Sequence, residues 1–382
     1  MRLVLPMQDR GLHRNHIQKP TRLCSTAGLP WQGDWKGKLM TEPIVIWGAG
    51  AIGGTIGAYL ARAGHEVLMV DVAADHVARM QAEGLTVEGP IDAFTVPVRA
   101  VTPDQLEGRY RRVLLAVKAQ HTTGAVDTLK PFLTEDGYVV SVQNGLNEMD
   151  IAAVVGAERT IGCFINFGAD YEGPGHILFG GRGAFVLGET DGRMTERLKE
   201  LHSLICDFEP DAQVTDNIFG YLWAKLSFAA VLQAHTVSNE PIEQFLDNPR
   251  WRPMLYRLVH EVAVTAQAEG VSLMTFQGFD PNEFLDRDVA RMKTAIDNYA
   301  EARRGSKKLY SGIWRDIVVR KRQTEIGLQG EPVLRAAQKH GIDGSTYATS
   351  LRMIREVEQG RAELGEALAS KLLAIARTAD RK

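Results

Sequence analysis

The stretch PIVIWGAGAIGGTIGAYLARAGHEVLMVD, Pro43 to Asp71, decides the fold. Its opening PIVIW is short, apolar and β-branched, as a buried strand is, and Gly48 ends it. Ile52 to Ala63 then reads as a helix, Gly64 follows as its C-cap, and HEVLMV leads into a second strand that stops at Asp71. Strand, helix and strand in that order make a βαβ unit. Two further apolar runs, RVLLAV (Arg112 to Val117) and YVVSV (Tyr138 to Val142), alternate with helix-length stretches. That alternation predicts a doubly wound parallel sheet, an α/β architecture with helices on both faces.

Beyond Thr160 the pattern changes. IGCFINF, HILFGG and AFVLGE, separated by glycine-rich turns, read as adjacent strands, antiparallel at one edge of the sheet. From Thr190 helices dominate: Gly220 to His235, Arg250 to Glu269, Val289 to Ala302, Trp314 to Leu328 and Leu334 to His340 all carry helical spacing. The boundary falls at Glu209 to Asp211, which divides the chain into a sheet domain, residues 41–209, and an all-helical domain, residues 210–382. Residues 1–40 scatter Arg2, Arg10, Arg14, Lys19 and Arg22 among small and polar residues without periodicity, and read as a disordered or non-native arm. Met40 offers a start three residues before the first strand, and a transit peptide is the competing reading of the arm.

Two domains also suit the length, because 382 residues exceed the size at which one hydrophobic core stops growing. A net charge of -3 gives no reason to expect a nucleic-acid partner. No apolar run approaches the roughly 18 residues of a membrane span. Cys24, Cys163 and Cys206 lie far apart without metal-ligand spacing, which favours a reducing, cytoplasmic setting and no metal site.

Within the deciding stretch, Gly48-Ala49-Gly50-Ala51-Ile52-Gly53 fits G-x-G-x-x-G between a strand and a helix. The first glycine allows the tight turn, the second lets backbone approach a pyrophosphate, and the third packs helix on strand. The helix start, with Ala51 and Ile52, then offers unpaired N–H groups to phosphate. An acidic residue at the end of the second strand completes a dinucleotide-binding Rossmann fingerprint. Asp71 would accept ribose hydroxyls and repel a 2′-phosphate, so NAD(H) is the expected cofactor over NADP(H). The plainer reading of Asp71 is a cap on the next helix. Lys118, following RVLLAV, reaches the adenosine end of the cofactor or is simply a solvated strand terminus.

Ligands of open α/β sheets bind beyond the carboxyl ends of the strands, which points to Gln143, Asn144 and Gly145 after YVVSV. Asn144 either makes a turn with Gly145 or holds the nicotinamide or the substrate. The fingerprint, this Gln-Asn-Gly, the segment TIGCFINFGADYEGPGHI, the helix beginning WAKL and the later KRQTEI together resemble the ketopantoate reductase family in order and spacing, from Pro43 to Gly360.

The resemblance implies that Lys225 is the general acid, protonating the alkoxide as hydride reaches the substrate carbonyl carbon. A cleft lysine suits that task, since its charge stabilises a developing oxyanion. A surface lysine on an amphipathic helix is the alternative. The resemblance also implies that Glu325 anchors a substrate hydroxyl and that a serine meets the substrate carboxylate; Ser311 is the candidate, with Ser306 open because the spacing to Glu325 is long. On the Lys225 helix, positions four and eight residues on are expected to share its face, and Ala229 and Gln233 stand where the family often has asparagines. Gly327 likewise replaces an acidic residue, so a substrate other than ketopantoate is expected.

These readings converge on an NAD(P)-dependent oxidoreductase that interconverts a small 2-oxo acid, or a related carbonyl compound, and its hydroxy form. A β-hydroxyacid dehydrogenase would carry an amide one turn after its lysine, where Ala229 stands. A dinucleotide-binding sensor or scaffold without turnover is the third reading. Family habit further implies a homodimer through the helical domain.

Overall fold

The computed structural model describes residues 42–305 and 309–380; the expected arm and Ser306 lie outside the described residues. The chain opens with β1 (Ile44–Trp47), α1 (Ala51–Arg62) and β2 (Val67–Val70), the βαβ unit. Helix α2 (Ala74–Glu83) leads into β3 (Leu85–Glu88), β4 (Phe94–Val96) and β5 (Arg99–Val101), strands too short to show as apolar runs. The alternation resumes with β6 (Tyr110–Leu115), α3 (Thr122–Leu129), β7 (Leu133–Ser141), α4 (Glu148–Val155) and β8 (Thr160–Ile165). There follow β9 (Gly168–Gly173), β10 (His176–Gly181), β11 (Phe185–Glu189), α5 (Glu196–Ile205) and β12 (Gln213–Val214).

The large sheet has eight strands in the order β12-β11-β8-β7-β6-β1-β2-β5. From β5 across to β8 every neighbouring pair is parallel. Their carboxyl ends therefore share one rim, from which Gly48, Asp71, Asn144 and Asn166 project. β11 returns antiparallel to β8, as expected of an edge. HILFGG does not join it. As β10 it pairs with β9 and β3 in a separate four-stranded sheet, so the three runs expected side by side are split between two sheets. β12 pairs with β11 and carries the large sheet past Asp211.

The helical half comprises α6 (Ile218–Ser238), α7 (Ile242–Asp247), α8 (Arg252–Ala268), α9 (Val289–Ala302), α10 (Gly312–Val318), α11 (Ile326–Lys339), α12 (Ser345–Glu358) and α13 (Glu366–Ala379). α6 is apolar around most of its girth because α8, α12 and α13 surround it while its first turns lie on β8 and β11. Phe164 and Val186 of the sheet share one core with Ile218, Leu222 and Trp223 of α6. Burial of these side chains joins the two halves without a mobile linker at the site.

The helix expected from Trp314 to Leu328 is two helices. Lys321 adopts φ 51°, which no right-handed helix accepts, and the backbone N–H and hydroxyl of Thr324 both donate to Glu358, fixing a new start. Glu325 consequently stands at the N-cap position of α11, with no side-chain bond to the helix start.

A close backbone approach lies in the glycine turn. A Cβ on Gly53 would meet the Gly48 carbonyl oxygen at 2.1 Å and the Ala116 methyl at 2.9 Å. We expect Gly53→Ala to cost about 1–3 kcal/mol or more by overpacking; urea unfolding against the parent checks this, and an unchanged midpoint would remove the packing role.

Candidate active site

At the rim, Gly48 turns the chain at φ 94° and Gly50 caps α1 without any side-chain bond to the exposed helix start. A Cβ on Gly50 would meet nothing within 4 Å, so the space before α1 is open. The first turn of α1 holds no acidic residue. Uncapped N–H groups of Ala51 and Ile52 facing open space fit a diphosphate, as the fingerprint requires.

Both peptide groups of Ala49 are held. Its N–H donates to Asp71 Oδ2 at 2.8 Å, and its carbonyl accepts from His76 Nε2 at 2.9 Å. His76 Nδ1 in turn accepts the Gly175 N–H at 2.8 Å, which fixes the neutral tautomer with its proton on Nε2. His76 is fully buried, and sequence reading missed it because its partner Gly175 lies in the turn between β9 and β10, 99 residues away. Asp71 also accepts the Ala73 N–H at 3.0 Å, so it serves the α2 start as well as the glycine turn. Lys118 is exposed just beyond β6, and the next residue, Ala119, donates its N–H to Glu325 Oε1 at 3.1 Å.

Across the cleft, Lys225 Nζ donates to Asn144 Oδ1 at 2.5 Å and to the Ile165 carbonyl. It lies 5.5 Å from the Phe164 ring centroid. Lys225, Asn144 and Glu325 line one cavity of about 250 Å³ together with Asn166, Ala229 and Gln329. Gly145 adopts φ 102° where Gln329 of α11 closes on it. Asn166 was missed, although its place directly after a parallel strand is the same signal that marks Asn144.

Two expected residues do not reach this cavity. Gln233 is fully buried on the far side of α6, accepting from the Ser350 hydroxyl at 2.6 Å. Eight residues advance a helix by 80° beyond whole turns, whereas seven fall back only about 20°. Leu232, not Gln233, therefore shares the Lys225 face. Ser311 is buried as the N-cap of α10, accepting the Trp314 N–H, while its own N–H donates to His235 Nε2 at 3.3 Å. Burial drives His235 down to about 4, so it is a neutral structural imidazole. Gly312, next to Ser311, lines the cavity with its backbone. Among the described residues no three His, Cys, Asp or Glu side chains gather as a metal site, and no helix is long and apolar enough to cross a membrane.

A glycine turn opening on a helix start and a lysine brought to the same rim from a helical half define an NAD(P)-dependent oxidoreductase acting on a CH–OH or carbonyl carbon. The family model Ketopantoate reductase PanE/ApbA matches residues 44–192, and Ketopantoate reductase PanE/ApbA C terminal matches residues 217–358. The chain belongs to the ketopantoate reductase family. Among curated relatives, a 2-dehydropantoate 2-reductase of Archaeoglobus fulgidus is 25% identical over 84% of this chain and 100% of its own length. One of Mesorhizobium japonicum is 32% identical over 48% of this chain and 63% of its own. The crystal structure of a PanE/ApbA family ketopantoate reductase from Ralstonia eutropha superposes with TM-score 0.70 at 26% identity, covering 84% of this chain and 99% of that one. D-mandelate dehydrogenase, solved with NADH and anilino(oxo)acetate, shares the fold with TM-score 0.71 at 22% identity, over 84% and 99% of the two chains.

Behind Asn144, Glu148 opens α4 fully buried, and among the described residues neither carboxyl oxygen has a hydrogen-bond partner. Burial raises the pKa of its carboxyl from 4.5 to about 7. Below pH 4.5 folded and unfolded chains both hold the proton. Between 4.5 and 7 the unfolded chain releases it first, so stability falls as pH rises and levels off above 7. The shift corresponds to about 3 kcal/mol. Glu148→Gln should flatten this slope and gain stability at pH 8 relative to the parent; parallel curves of urea midpoint against pH would refute it.

Proposed function

We propose that the chain interconverts a small 2-oxo acid and its 2-hydroxy acid, with NAD(H) preferred and Lys225 as general acid and base. The observation that carries this is the Lys225 ammonium bonded to Asn144 on the sheet rim, inside the cavity that also holds Glu325. When bound, the cofactor supplies or accepts hydride. The chain's own residues do the rest. Gly48, Gly50, Ala51, Ile52 and Gly53 would seat the diphosphate, with Asp71 and His76 fixing the Ala49 peptide on which that turn depends.

Lys225 would donate its proton to the substrate oxygen in reduction and recover it in oxidation, its charge lowering the cost of the oxyanion. Asn144 and Ile165 aim the ammonium at the cavity. Glu325, steadied by the Ala119 N–H, keeps a second oxygen for a substrate hydroxyl. Asn144, freed from Lys225 by a bound acid, would hold the carboxamide or the substrate. Gln233 and Ser311 carry no substrate contact in this reading, and Lys118 stays within reach of the adenosine end. A homodimer through the helical half and a cytoplasmic setting complete the proposal, supported by the family resemblance and by the buried free thiol of Cys163.

Lys225→Ala should lower kcat by roughly 10²- to 10⁴-fold while NADH still binds; steady-state rates with titration of cofactor fluorescence check this, and retained turnover would remove the role. The half-buried Asp71 carboxylate should make NADH outperform NADPH in kcat/KM by at least about tenfold, the scale of one repelled charge. Equal use of both cofactors would overturn the preference.

A further inference from the structure

Resting on the reading above, we propose that the acid taken by this cavity carries a compact, wholly apolar side chain with no hydroxyl beyond its 2-position. The argument starts from α6. Leu222, Leu226, Ala229 and Leu232 line the cavity with Lys225, at helical offsets of minus three, one, four and seven residues. At a rise of 1.5 Å per residue, Ala229 stands about 6 Å and Leu232 about 10 Å along the axis from Lys225. A side chain running along α6 from a carbonyl held at the Lys225 ammonium would pass a methyl group and then a leucine. Phe228 of α6 and Ile313 of α10 add further apolar wall.

Glu325 and Gln329 stand at the sheet rim, against Ala119 and Gly145, and the polar groups of Asp316 and Thr324 already have partners. The Asp316 carboxylate accepts from Arg320 at 2.8 Å and from Arg322 at 2.9 Å. The Thr324 hydroxyl donates to Glu358 at 2.5 Å. Gln233, the amide nearest in sequence, faces the opposite side of the helix. A hydroxyl placed on the substrate side chain would leave water and find no unclaimed partner on α6, a penalty that apolar walls impose as about 10- to 100-fold in rate constant. The volume, about 250 Å³, is that of a site for a small acid.

The test uses a substrate pair differing by one oxygen: 3,3-dimethyl-2-oxobutanoate and its 4-hydroxy derivative, 2-dehydropantoate. With the full chain and NADH, the deoxy acid should give the higher kcat/KM by about tenfold or more, and phenylglyoxylate or 4-methyl-2-oxopentanoate should also turn over. Ala229→Asn should narrow or reverse the ratio by restoring an amide one turn from Lys225. Equal or better use of the hydroxylated acid by the parent overturns the inference while leaving the proposed function standing. Absence of turnover on every acid, with NADH binding retained, overturns the proposed function and this inference with it. The parent comparison stands even if the variant fails to fold.

Discussion

The ammonium of Lys225 is the constraint on which the rest is arranged. It is gripped by two oxygens that belong to the ends of adjacent parallel strands, the Asn144 side chain after β7 and the Ile165 carbonyl at the end of β8. A cation brought there by a helix of the other half needs that helix pressed onto the sheet. The shared core of Phe164, Val186, Ile218 and Trp223 does this pressing. The lysine side of the cleft is therefore held by packing as well as by hydrogen bonds.

The opposite wall of the cleft is built by backbone. Ala49 lies inside the glycine turn, and its N–H and carbonyl are claimed by Asp71 and His76 respectively. Asp71 thus has two duties, one toward the turn and one toward the start of α2. His76 ties the same turn to the small sheet through Gly175, so that sheet supports the rim instead of hanging from it.

The distribution of satisfied and unsatisfied polar groups separates structure from chemistry. Gln233, Ser311 and His235 have the residue types of a binding site, yet their bonds run to Ser350, Trp314 and Glu240 within the helical packing. Glu148 is the inverse case, a carboxyl enclosed close to the site and left without partners among the described residues. Burial favours its neutral form over the carboxylate.

Lys225 and Glu325 were singled out by resemblance to the ketopantoate reductase family, whereas the sequence by itself determined the parallel strands, the glycine turn with Asp71 behind it and the strand-end place of Asn144. Local rules suffice there: strand runs, helix starts and the strand-end position of ligands depend on residues near one another in the chain. Tertiary structure alone decided which of the later residues face the cavity. The Ser350 bond holds Gln233 on the far side of α6, and the positive φ of Lys321 broke one expected helix into two and made Glu325 a helix head. The sorting of β10 into a second sheet, and with it the bond from His76 to Gly175, rests on strand pairing between distant segments. Such pairing depends on competition among all strands for edges, and no spacing within a single stretch records its outcome.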